Sequence, residues 1–112
     1  MIKVTGLKDA AAVIADAVAN QQHLNVQSMA TKLALGRDVS YDSYLDVSAF
    51  TGVKDYQPDE LILTVRAGTS MHEVEAVLAC ANQMLAFEAP DLHKLLGTQS
   101  AGTIGGVLAT NA

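Results

Sequence analysis

Apolar residues at Leu7, Ala10, Ala11, Ile14, Ala17 and Val18 recur at steps of three and four, with Lys8, Asp9 and Asp16 largely off that face. This spacing predicts an amphipathic helix over Leu7 to Asn20. A second stripe, Met71, Val74, Val77, Leu78 and Ala81, follows Ser70-Met71-His72-Glu73, a capping-box pattern, and predicts a helix from about Ser70 to Asn82. Between the two helices lie short apolar runs without helical period. His23 to Gln27 and Tyr44 to Val47 predict buried strands, and Gly52 to Gly68 predicts two strands joined by a turn at Gln57-Pro58-Asp59, with Leu61 to Val65 the clearer of the pair. Met84 to Phe87 reads as a further strand, Glu88 to Ala101 as a loop, and Thr103 to Ala109 as the start of a short helix.

Helices alternating with short strands predict an α/β (α+β) fold, a small mixed sheet covered by two main helices. Residues 1–112 read as one domain. Its last residues, Gly105-Gly106-Val107-Leu108-Ala109-Thr110-Asn111-Ala112, offer apolar side chains with no polar face, so the domain is expected to be incomplete. Ile104, Val107 and Leu108 are expected to need covering by another copy or a partner.

Composition narrows the chemistry. Half of the 112 residues are apolar, yet only three Tyr and two Phe are aromatic and Trp is absent, so the core is aliphatic, with Met71 and Met84 among its members. Seven Lys and Arg face twelve Asp and Glu, a net charge of -5 without a basic cluster, which argues against nucleic acid as a partner. Cys80 is the single cysteine, so neither a disulfide framework nor a cysteine metal site arises within one chain, and a cytoplasmic location is expected. No run approaches the ~18 apolar residues of a membrane span.

Gly97-Thr98-Gln99-Ser100-Ala101-Gly102-Thr103 imitates a phosphate-binding P-loop, but Thr103 stands where the lysine belongs, and no G-x-G-x-x-G follows the first strand. What remains is Gly102-Thr103-Ile104-Gly105-Gly106 at a loop-to-helix junction. Such glycines let backbone approach an anion or a flat ring, and free amides at a helix start favour negative charge. They serve close structural packing equally well. His23, His72 and His93 have no ligand spacing; Glu73 reads as a cap, Glu75 as a solvated carboxylate, and Arg66 as a strand-end charge paired with an acidic neighbour or a phosphate.

Several segments taken together are more specific. Lys32-Leu33-Ala34-Leu35-Gly36, Leu45-Asp46-Val47 through Gly52-Val53, Asp55-Tyr56-Gln57-Pro58-Asp59-Glu60-Leu61, Val65-Arg66-Ala67-Gly68-Thr69, Gln83-Met84-Leu85, Glu88-Ala89-Pro90 and Thr103-Ile104-Gly105-Gly106 stand in this order. Over roughly residues 5 to 112 the chain resembles the FAD-binding subunits of bacterial glycolate oxidases, within the vanillyl-alcohol oxidase (PCMH) type of flavoprotein. The resemblance implies FAD as cofactor and a loop cradling the pyrophosphate at Ser28-Met29-Ala30-Thr31-Lys32. It also places Pro90 and Gly102, Thr103, Ile104, Gly105 and Gly106 against the cofactor. Relatives carry glycine where Ser28, Met29 or Ala30 stands, and a side chain at a left-handed position there raises the energy of the loop.

Two classes of function follow. One is the FAD-binding part of a flavin-dependent 2-hydroxy acid (glycolate) oxidase or dehydrogenase, joined by other subunits and inactive alone. The other is a non-enzymatic structural or interaction module derived from that domain, self-associating and binding FAD weakly or not at all. Loss of the loop glycines points to the second, and Thr103-Ile104-Gly105-Gly106 to the first.

Overall fold

The computed structural model describes residues 2–88, 93–97 and 101–110. Its first layer is a parallel sheet of β1 (Ile2–Lys3), β2 (Leu24–Gln27) and β3 (Ser43–Asp46), in the order β1-β3-β2. Register pairs Ile2 with Leu45 on one side of β3 and Val26 with Leu45, Gln27 with Asp46 on the other. Helix α1 (Leu7–Ala19) carries the chain from β1 to β2, as parallel pairing requires a crossover. Val4, Leu45 and Ala17 are the fully buried apolar residues of this half. The strand β1 was not foreseen, because two residues are too few to display a period.

Burial on α1 differs from the expected stripe. Ala17 is buried and Ala10 and Val13 are half-buried, whereas Leu7 is 81% exposed and Val18 72%. Alanines and valines fill two adjacent columns of this helix, and with ~100° between successive residues periodicity alone cannot choose between them.

The second half is a hairpin with two helices on it. β4 (Val53–Gln57) pairs antiparallel with β5 (Ile62–Val65), Tyr56 opposite Leu63, and a 3-10 turn at Pro58–Glu60 joins them. Pro58 presets φ for that turn, and Leu61 closes it at φ 55°. Helix α2 (Met71–Cys80) begins where the Ser70 hydroxyl accepts the Glu73 amide at 3.1 Å. Met71, Val74 and Leu78 of α2 then form one buried cluster with Ile104 and Val107 of α4 (Ile104–Ala109), flanked by Tyr56, Leu63, Val65, Leu85 and Ala101. Each such side chain contributes about 1.5–3 kcal/mol of burial.

Parallel and antiparallel pairing thus both occur, as an α+β fold with a mixed sheet implies, distributed over two sheets. Three local expectations are corrected. Met84 to Phe87 forms no strand: the Gln83 amide donates to the Leu78 carbonyl at 2.9 Å, holding the chain at the end of α2, and Met84 is 82% exposed instead of core. The following loop contains a helical turn, α3 (His93–Leu96). Ile104 and Val107 are buried within the chain's own core, leaving only Leu108 of that trio exposed, because α2 and the hairpin already cover them.

Candidate functional site

A cleft of about 440 Å³ lies between the two halves. One wall is the carboxyl end of the parallel sheet: Val26 and Gln27 of β2, the loop from Ser28 to Leu33, and Val47 just beyond β3. The other is Ala67 and Gly68 after β5 together with Thr103, Gly105, Gly106, Ala109 and Thr110. Parallel strands offer ligands this end, where loops diverge and leave a crevice. Segments some seventy residues apart in sequence are joined here by the connection from Val47 to Gly52. The Gly68 amide donates to Phe50 O at 2.7 Å, and Gly52 N donates to the buried Thr69 hydroxyl at 2.9 Å.

Ser28, Met29, Ala30, Thr31 and Lys32, expected at a pyrophosphate, all line this cleft, and so do Thr103, Gly105 and Gly106. Ala30 holds φ at 55°, the left-handed geometry for which glycine is suited. Gly102 lies behind the lining at φ 93°, and a Cβ there would meet the Thr31 hydroxyl at 2.8 Å. Ile104 is turned away into the core. Pro90 lies outside the described residues.

The start of α4 does not offer the free amides expected of it. Ile104 N donates to Thr69 O at 2.9 Å, Gly105 N to Ala67 O at 2.9 Å, and Gly106 N to the Thr103 hydroxyl at 3.2 Å. These donors tie α4 to the strand-end segment, so negative charge finds no open helix terminus. Gly105 serves packing instead: a Cβ would lie 2.7 Å from Ala67 O and 2.8 Å from its Cβ. Gly106 faces the cleft, where a Cβ would lie 3.7 Å from the Lys32 ammonium.

The polar groups of the lining suit an anionic ligand with acceptor atoms. Lys32 brings the only positive charge among the lining residues, and no carboxylate or imidazole is among them. Thr31 and Thr103 supply hydroxyls. One group was missed by sequence reasoning: Gln27, whose side-chain nitrogen is buried and has no hydrogen-bond partner among the described residues. An unpaired buried amide costs about 1–3 kcal/mol. A glutamine closing a short strand carries no signal of this kind in sequence. Asp46, its partner in register, has its carboxylate engaged by Ser48, first through the side chain and then through the amide, which donates at 2.9 Å; that bonding, with a lesser contribution from Lys3, holds its pKa below the usual carboxylate value. Among the described residues no three His, Cys, Asp or Glu side chains are grouped to hold a metal ion, and no helix is long and apolar enough to cross a membrane.

Comparison with known proteins agrees with this geometry. The chain is 39% identical over 74 residues to the glycolate oxidase subunit GlcE of Escherichia coli (strain K12). The match covers 66% of this chain and 21% of that subunit, so the chain spans about a fifth of the relative's length. The family model described as "FAD binding domain" matches residues 1–112. An unpaired donor, a lysine and a glycine-floored wall converge on one cleft, and the chain that builds it belongs to the FAD-binding domain family.

Proposed function

We propose that the cleft receives FAD and that this chain supplies a cofactor-binding part of a flavin-dependent oxidoreductase acting on a 2-hydroxy acid such as glycolate. The observation carrying this reading is the convergence of the Ser28 to Lys32 loop and the Thr103 to Gly106 segment on opposite walls of one cleft. FAD, when bound, supplies hydride acceptance at its ring system. The protein's part is binding and orientation. Lys32 neutralises phosphate charge, Thr31 donates a hydroxyl bond, and the missing side chain at Gly106 leaves the floor open. Among the described residues of the lining there is no carboxylate or imidazole to take the proton of a substrate hydroxyl, so this part of the chain serves the cofactor.

Other subunits of a flavoenzyme complex, or a second copy, would pack against the apolar outer face of α1 at Leu7 and Val18. A single free, exposed Cys80 suits a reducing compartment such as the cytoplasm. The test is titration of the purified chain with FAD, following flavin fluorescence. Saturable binding in the micromolar range is expected, about tenfold weaker in Lys32→Met, where one charge-assisted bond is lost. No glycolate-dependent dye reduction by the chain alone is expected. Absence of saturable binding would refute the assignment of the cleft.

A further inference from the structure

We propose that Gln27 is a ligand-recognition residue, its side-chain NH₂ donating to a phosphate oxygen of the dinucleotide in this cleft. The inference rests on the reading of the cleft as an FAD site and adds a residue to it.

Three observations lead to it. First, the Gln27 nitrogen is enclosed and unpaired, although buried amides are almost always bonded. Second, no acceptor among the described residues is placed to take its hydrogen bond. The Gln27 carbonyl already receives the Val47 amide at 2.8 Å, and the carboxylate of Asp46, adjacent in register, receives the Ser48 amide. Third, Gln27 lines the cleft on the same wall as Thr31 and Lys32, whose ammonium and hydroxyl select for oxygen anions. A donor held without an acceptor beside a cation is complementary to a phosphate oxygen.

The nitrogen has no solvent contact in this conformation, so the ligand reaches it through a shift of the adjoining loop. Ala30, three residues on, holds φ at 55°, a geometry costly for a residue with a Cβ, so the segment has strain to release when it moves. Ligand entry then satisfies the donor. In its ligand-free state the same amide is a burden on stability, which separates recognition from an ordinary structural role.

Gln27→Met keeps the length and removes the donor; Gln27→Glu keeps the shape and replaces NH₂ with an oxygen that repels phosphate. Each is compared with the parent in thermal melting without ligand and in titrations with FAD and with ADP, which carries the phosphates but no flavin. The expected result is a Gln27→Met melting temperature equal to or above the parent's, with affinity for both ligands about tenfold lower. A larger loss is expected for Gln27→Glu. Parental affinity in both variants would overturn the inference and leave the cleft's assignment standing, as would a loss for FAD without one for ADP, which puts the acceptor elsewhere. Melting several degrees below the parent in both variants would make the amide structural and also overturn it. Failure of the parent to bind either ligand would remove the cleft's assignment and this inference with it.

Discussion

Ala30 sits at φ 55°, where a Cβ crowds the following carbonyl at a cost of roughly 1–2 kcal/mol. Ala30→Gly removes that cost and adds back some backbone entropy, for a net gain of about 0.5–1 kcal/mol in a urea titration; a destabilised variant would show the loop to be relaxed as it stands. The glycines of α4 separate by what surrounds them. Gly105→Ala forces a methyl group onto the Ala67 backbone, which cannot yield, and should cost about 2 kcal/mol. Gly106→Ala meets the Thr103 hydroxyl at 3.3 Å and the Lys32 ammonium at 3.7 Å, both on side chains that can yield, so its stability should stay within about 1 kcal/mol of the parent while its methyl narrows the cleft. Asp46 adds a pH dependence. Its pKa is lowered in the folded state, so its contribution is present above the unfolded carboxylate value of about 4 and is lost as pH falls through the folded one. Asp46→Asn should therefore flatten the acid side of a melting-temperature profile and leave its shape between pH 6 and 8, roughly, unchanged.

At the scale of elements, α2 is held at its start and along one side. Ser70→Ala removes the acceptor for the Glu73 amide and should cost about 1 kcal/mol. Val74, 1% exposed, is the centre of the helix's buried face, whereas Val77 is only half-buried. Val74→Asp should unfold the hairpin half, since an unpaired buried carboxylate costs several kcal/mol. Val77→Asp can turn its charge toward water and should retain a cooperative melt by circular dichroism. Equal behaviour of the two variants would contradict the burial pattern. The far end of α2 adds side-chain hydrogen bonds to the packing of Leu78: Tyr56 donates its hydroxyl to the Gln83 amide oxygen, and Gln83 Nε2 donates to Pro58 O at 2.9 Å. That link joins the β4–β5 turn to the helix end.

As a whole the chain is loosely gathered. Its accessible surface is 7895 Å², against about 5,900 Å² for a compact monomer of 11.7 kDa. The radius of gyration is 15.6 Å, against about 13 Å for a compact domain of this length. Less surface is therefore exposed on unfolding than the length implies. The urea m-value should fall near the low end for small proteins, about 1 kcal/mol/M. Saturating FAD, at a hundredfold excess over Kd, should add about 2.7 kcal/mol by linkage. A steep unfolding transition together with a scattering radius near the compact value would refute this shape. The excess, on the order of 2,000 Å², is more than twice the ~800 Å² that a standard protein interface removes from one partner.

The sequence by itself determined α1, α2, the start of α4 and the strands β2 to β5, though not β1, α3 or the absence of a strand at Met84 to Phe87. Periods of three to four marked α1 and α2, Ser70 and Glu73 marked where α2 begins, Pro58 marked the hairpin turn, and ordered motifs marked the flavoprotein family, because each signal is local or is a matter of order along the chain. It also narrowed the expected glycine to Ser28, Met29 or Ala30, of which the structure places Ala30 in the left-handed geometry. Only the tertiary structure decided which column of α1 faces inward, that Met84 stays in water, and that Ile104 belongs to the core. The amides at the start of α4 and the Gln27 nitrogen likewise depend on neighbours distant in sequence: Thr69 and Ala67 satisfy the first, and nothing satisfies the second. Hydrogen bonds and burial are pairwise properties of groups brought together in space, and a one-dimensional pattern carries the groups without their pairing.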